Sequence, residues 1–113
     1  MGATGTADLD FGAFPGKSDT SVAITGQSGI VAGSLVEAWI RAVATADHLA
    51  DEHLVENIKI IAGNIIAGTG FTIYGFNTTP HFPGGDKIDG NFTVQPSNNT
   101  LLYGVWKVNW AWL

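Results

Sequence analysis

Residues 100–113, TLLYGVWKVNWAWL, decide the fold. Leu102, Gly104, Trp106, Val108, Trp110 and Trp112 fall on one side of a period-two pattern. Tyr103, Val105, Lys107, Asn109, Ala111 and Leu113 fall on the other. Side chains alternate across a strand, so this run predicts a β-strand with one strongly apolar face. A row of indoles there has three readings: core, contact between subunits, or a ligand platform. Core carries the most weight, because a large apolar strand face normally points inward. Trp112, nearest the end of the chain, is the indole best placed to reach a partner.

The same alternation runs outward through the chain. In TADLDFGAF (6–14), Ala7, Leu9, Phe11 and Ala13 oppose Thr6, Asp8 and Asp10. In TSVAITG (20–26), Val22 and Ile24 oppose Ser21, Ala23 and Thr25. SLVEAWIRAV (34–43) fits a helix or a strand, and its β-branched and aromatic content favours a strand with Val36, Ala38, Ile40 and Ala42 on one face. LVENIKIIAG (54–63) places Leu54, Ile58, Ile60 and Ala62 together, with Glu56 out of character among them. FTIYGFN (71–77) sets Phe71 and Ile73 against Thr72, Tyr74 and Phe76. FPGKSD (14–19) is a turn, GQSGIVAG (26–33) a bend, and Gly63-Asn64 a turn or bulge. TTPHFPGGDKIDG (78–90) reads as a long loop and NFTV (91–94) as a short edge strand.

About six to eight short strands at close spacing predict an all-β fold: one antiparallel β-sandwich or barrel over residues 1–113, jelly-roll-like. At most one short helix is expected, a turn or two near residues 45–53.

Composition narrows the function classes. The 113 residues suit one domain, and with 45% apolar residues they can bury a core. Cysteine is absent, which excludes disulfides and thiolate chemistry. Charged residues make up 13%, against about 25% in an ordinary soluble domain. Such a charge-poor surface suits a protein packed against partners. The net charge is −5, and Lys17, Arg41, Lys59, Lys87 and Lys107 are scattered. No basic stripe is available for phosphates, so nucleic acid is not an expected partner. No apolar run escapes interruption by glycine long enough to span a bilayer, so a membrane is not expected either. The N-terminus carries no basic and apolar export pattern, though Gly2 and Thr6 stand where a myristoylation pattern needs them. Asn-x-Thr sequons stand at Asn77, Asn91 and Asn98 and mark polar, turn-rich places.

Chemistry concentrates in TADHLADEHLVE (45–56), which sets His48 and His53 among Asp47, Asp51, Glu52 and Glu56. A shared metal needs convergent ligands. Five residues apart, the histidines lie about 140° apart on a helix and on opposite faces of a strand. Only a loop would bring them together, and His81 would have to join from the 78–90 loop. The i,i+4 zinc-protease pattern and the calcium-loop spacing are both missing. No metal, cofactor or catalytic residue is therefore assigned. Ser28 in GQSGI lacks the nucleophile-elbow pattern, and GNIIAGTG (63–70) lacks a Walker lysine. Asp8 and Asp10, two apart on one face, read as solvated carboxylates rather than a glycosidase pair.

What remains is a polar connector that meets a basic patch on a partner, with Asp47, His48, Asp51, Glu52, His53 and Trp112 as candidate contacts. Its histidines would make that contact pH-sensitive.

Three blocks taken together resemble a family of small proteins encoded by tailed bacteriophages. They are LDFGAFPGKSDTSVAITGQSGIVAGSLVEAWI (9–40), TADHLADEHLVENIKIIAGNIIAGTGFTIYGFN (45–77) and LYGVWKVNWAW (102–112). The resemblance covers residues 3–77 and 101–113, and 78–100 looks like a variable loop. It implies a virion structural accessory, similar to capsid decoration or cement proteins. Such a protein binds the major capsid protein and copies of itself, with a trimer favoured. It would be made in the bacterial cytoplasm and carried on the capsid surface. The resemblance brings no catalytic residue with it. The alternative from the residues is a tail- or fibre-associated carbohydrate-binding module for host adhesion, with the Trp106, Trp110 and Trp112 row as its platform.

Overall fold

A computed structural model describes residues 2–78, 86–88, 92–94 and 101–113, with the backbone alone at Val55, 86–88 and 92–94. The chain runs β1 (Ala3–Asp10), β2 (Asp19–Ile24), β3 (Val36–Ile40), α1 (Ala50–Val55), β4 (Ile58–Ile66), β5 (Gly70–Asn77), β6 (Asp86–Ile88), β7 (Phe92–Val94) and β8 (Val105–Trp112). Two antiparallel three-stranded sheets form, in the orders β1-β8-β3 and β2-β5-β4, and β6 pairs with β7 in a hairpin. The first strand pairs with the last and the second with the fifth, while β3 abuts β4 and β1 abuts β2 between sheets. This nesting is a jelly-roll-like sandwich with two three-stranded sheets in place of the usual eight strands. The all-β expectation holds, with a single short helix among the described residues.

β8 is the central strand of its sheet, which is why one of its faces is so apolar. Trp106, Val108, Trp110 and Trp112 all point into the core, and Leu102 joins them just before the strand. The core is completed by Leu9 of β1, Phe11 just after it, Ile30 from the 26–33 bend, and Ile24, Phe71 and Ile73 of the second sheet. Gly5 faces Trp110 across the β1–β8 pair, and a Cβ at Gly5 would lie 2.4 Å from the indole. The glycine is therefore the floor on which that ring rests. Each core indole also satisfies its N–H: Trp106 donates to the Tyr103 carbonyl, Trp110 to the Thr6 carbonyl and Trp112 to the Gln27 side chain. Burial as core removes Trp106, Trp110 and Trp112 as an exposed sugar platform.

Several boundaries move for identifiable reasons. β1 starts at Ala3, because its pairing with β8 extends from Ala3↔Trp112 to Asp10↔Val105. It ends where the Asp10 carboxylate accepts the Gly12 N–H at 2.8 Å and turns the chain. Gly63-Asn64 is a bulge inside β4, not the end of a strand. The register slips between Gly63 and Ile66, Asn64 takes φ 51°, and Ile65 is turned onto the core. Leu54 is not on the inner face of β4, because α1 continues through Val55 and leaves Leu54 70% exposed. The 26–33 bend sends Ile30 into the core. Residues 86–88, read as loop, form a strand opposite 92–94. His81, Asn91 and Asn98 lie outside the described residues. No helix among the described residues is long and apolar enough to cross a membrane.

Candidate functional site

β3 covers β8 only from Val36↔Trp112 to Ile40↔Val108. The remaining stretch of β8 toward Val105 needs other partners for its backbone, since buried unpaired backbone groups are costly. The 41–56 connector supplies them, one from its backbone and the rest from side chains. Arg41 N–H donates to the Lys107 carbonyl at 2.8 Å. The Lys107 N–H donates to His53 Nε2 at 3.1 Å. Thr45 Oγ1 donates to the Val105 carbonyl, and the Val105 N–H donates to Asp47 Oδ2, each at 2.8 Å. The connector thus extends the sheet edge by imidazole, hydroxyl and carboxylate where no strand is present.

The two histidines converge after all. His48 and His53 are each 3% exposed and sit 6.5 Å apart, centroid to centroid, against the same indole. His48 stacks on Trp106 at 3.8 Å, and His53 meets it edge-on at 4.8 Å. His48 lies in the loop before α1 while His53 is within the helix, the one kind of arrangement that the spacing argument left open. The connector expected to present these two side chains to a partner instead buries them against the core. Trp112, 9% exposed, is likewise core. Asp51 remains exposed and Glu52 half-exposed, whereas the Asp47 carboxylate is engaged with Val105.

Hydrogen bonds place one ring proton on each histidine. His48 Nε2 lies 2.6 Å from the Tyr103 carbonyl, which only accepts, so Nε2 carries a proton. Its Nδ1 is buried without a hydrogen-bond partner and faces Glu52 Oε2 at 3.5 Å, an ion pair when the ring is protonated. His53 is reversed. Nε2 accepts from Lys107, and Nδ1 donates to the Leu49 carbonyl at 3.0 Å. A His53→Ala change should leave the Lys107 N–H unpaired and cost about 1–3 kcal/mol. Hydrogen exchange should show the Lys107 amide losing protection while the Val108 amide keeps its own; unchanged Lys107 protection would contradict the role given to His53.

Glu52 holds the start of α1. Its carboxylate accepts the Leu49 N–H, and the Leu49 carbonyl accepts the Glu52 N–H at 3.1 Å. The Leu49 N–H is the chief reason the Glu52 carboxyl is held below its ordinary range; burial pushes the other way, and the nearby His48 and His53 rings lower it further. A carboxyl lowered in the folded state stabilises above its unfolded value and loses that contribution as pH falls through the folded one. Glu52→Gln should therefore flatten the fall in thermal stability below about pH 4.5, and a variant curve parallel to the parent's would remove Glu52 as the source.

Sequence reasoning missed Thr45, Tyr103 and Gly104. Thr45 Oγ1 also accepts the His48 N–H at 3.1 Å, a turn that the Thr-x-Asp-His order signals. Asp8 pairs with Lys107 across β1 and β8 and is not a free carboxylate. Among the described residues no group of three histidine, aspartate or glutamate side chains is arranged to hold a metal ion. The chain matches no known family, no curated protein and no solved structure.

Proposed function

We propose that the chain is a non-enzymatic virion structural protein, a capsid decoration or cement protein that binds the major capsid protein and copies of itself. The observation that carries this reading is the apolar end of the sandwich around Trp112. Leu35 and Leu113 are 70% and 71% exposed there. A reciprocal pair of backbone hydrogen bonds, 2.9 and 2.8 Å, holds their main chains together. With Val36, Glu37, Ala111 and Trp112 they line a groove of about 470 Å³. Exposed aliphatic side chains in a charge-poor chain suit a permanent protein contact. The polar residues of the connector support the reading too, since their hydrogen bonds serve the sheet edge. Quantitative mass spectrometry of purified virions tests it. Copies comparable to capsid subunits are expected, and a handful per particle would move the protein to the tail.

A second reading, the carbohydrate-binding module, draws on a different tryptophan. Trp39 is 44% exposed on the outer face of the β1-β8-β3 sheet. Arg41 donates to Asn109 at 3.1 Å beside it, and with Thr4 and Thr6 they line a groove of about 300 Å³. Sugar-dependent quenching that disappears in Trp39→Phe would favour this module; no quenching across a broad glycan panel would end it.

A further inference from the structure

β3 ends its sheet, in the order β1-β8-β3, and β4 beside it in the facing sheet forms no ladder with it. Its bonds to β8 run from the odd positions, as the Leu35–Leu113 pair and the Arg41 N–H to the Lys107 carbonyl show. Bonding alternates along an antiparallel ladder, so the N–H and C=O groups of Val36, Ala38 and Ile40 point away from β8. None of them has a hydrogen-bond partner among the described residues. Edge strands are commonly blunted by proline, by a bulge or by charge. β4 carries a bulge, whereas β3, VEAWI, has neither proline nor bulge. Its charges have both signs, and their order decides what they admit.

The outer face of this edge reads Glu37, Trp39, Arg41, all exposed. Glu37 has no ion pair or hydrogen bond among the described residues. Arg41 gives one bond to Asn109 and keeps further N–H donors. An acid–indole–base row is complementary to itself when reversed. Two copies of β3 laid antiparallel, Trp39 facing Trp39, set Glu37 of each against Arg41 of the other. The hydrogen-bond parity agrees. Ala38 and Ile40 exchange backbone bonds with Ile40 and Ala38 of the second copy. The Trp39 and Glu37–Arg41 pairs then fall at the positions without hydrogen bonds, where facing side chains are closest. Sliding one step opposes Trp39 to a charge, and sliding two opposes Glu37 to Glu37 or Arg41 to Arg41. β1, the other edge of the sheet, shows Thr4, Thr6 and Asp8 outward and offers no cation to Glu37.

We propose that two copies of the chain join by antiparallel β3–β3 pairing about a two-fold axis at Trp39. The pairing deepens the proposed binding to copies of itself and rests on that reading for its setting, whereas the contact is tested on the free chain. The copy-number measurement and this test can therefore fail separately. β3 offers five residues, against about 20–30 a side in a standard interface, so a Kd on the order of 10–100 µM is expected. Below that range the chain is a monomer. Sedimentation equilibrium from about 1 to 300 µM should show a monomer–dimer equilibrium. Glu37→Arg and Arg41→Glu should each weaken it at least about tenfold, because each opposes like charges. Glu37→Gln should weaken it less than Glu37→Arg. Mixed in equal amounts, the Glu37→Arg and Arg41→Glu variants should associate again, since each meets the opposite charges of the other. Hydrogen exchange at the Ala38 and Ile40 amides should slow as concentration rises, while the Trp39 amide, already turned to β8, should not change. A monomer throughout, a trimer, undiminished association of either charge variant, or no recovery on mixing would each overturn the proposal.

Discussion

Trp106→Ala should be the most damaging single substitution in the chain, lowering stability by about 3–5 kcal/mol. The indole is 2% exposed and packs against both histidine rings. Its N–H shares the Tyr103 carbonyl with His48 Nε2, so one residue links the end of β8 to the connector. Truncation opens a cavity and loosens His48 at once. A small domain is stable by only about 5–15 kcal/mol, so the variant should unfold at markedly lower denaturant with an unchanged slope. Trp39→Ala is the matched control. Half-exposed on the outer face, it should cost no more than about 1 kcal/mol. Equal losses from the two variants would mean that Trp106 is not the anchor described above.

Gly104→Ala should be nearly as severe for its size. Gly104 takes φ +74°, and a Cβ there would lie 2.6–2.8 Å from the Asp47 side chain. The left-handed conformation costs an L-residue about 1–2 kcal/mol. Displacing the Asp47 carboxylate leaves the Val105 N–H without its acceptor, about 1–3 kcal/mol more. Together they should lower Tm by roughly 10 °C or more. Asp47→Ala helps to separate the contributions, because it removes the acceptor and the contacts with Cγ and Oδ2 while keeping the contact with Cβ at 2.6 Å. In that background Gly104→Ala should cost less than in the parent, and strict additivity of the two changes would show that the residues do not interact.

The strand faces were legible because alternation is local. Inward positions at Leu102 to Trp112, at Val36, Ala38 and Ile40, and at Phe71 and Ile73 follow from a period of two and a need to bury apolar surface. Strand ends were less so. β1 begins at Ala3 because β8 extends that far beside it, and no residue near position 3 signals the length of a strand about a hundred positions away. Leu54 was misplaced because a short helix and a strand both accept an apolar residue there, and only packing against β8 chooses the helix.

The acidic connector shows the same division more sharply. By itself the sequence determined an all-β fold, sandwich or barrel, a charge-poor composition and the residue types of 45–56, since all of these follow from composition and short-range pattern. The tertiary structure alone decided that His48 and His53 meet on Trp106, with Asp47 and Thr45 beside them on Val105. That outcome depends on how far β3 runs along β8. The strand stops at Ile40, the backbone of β8 beyond it still requires hydrogen bonds, and the nearest polar side chains are drawn inward to make them.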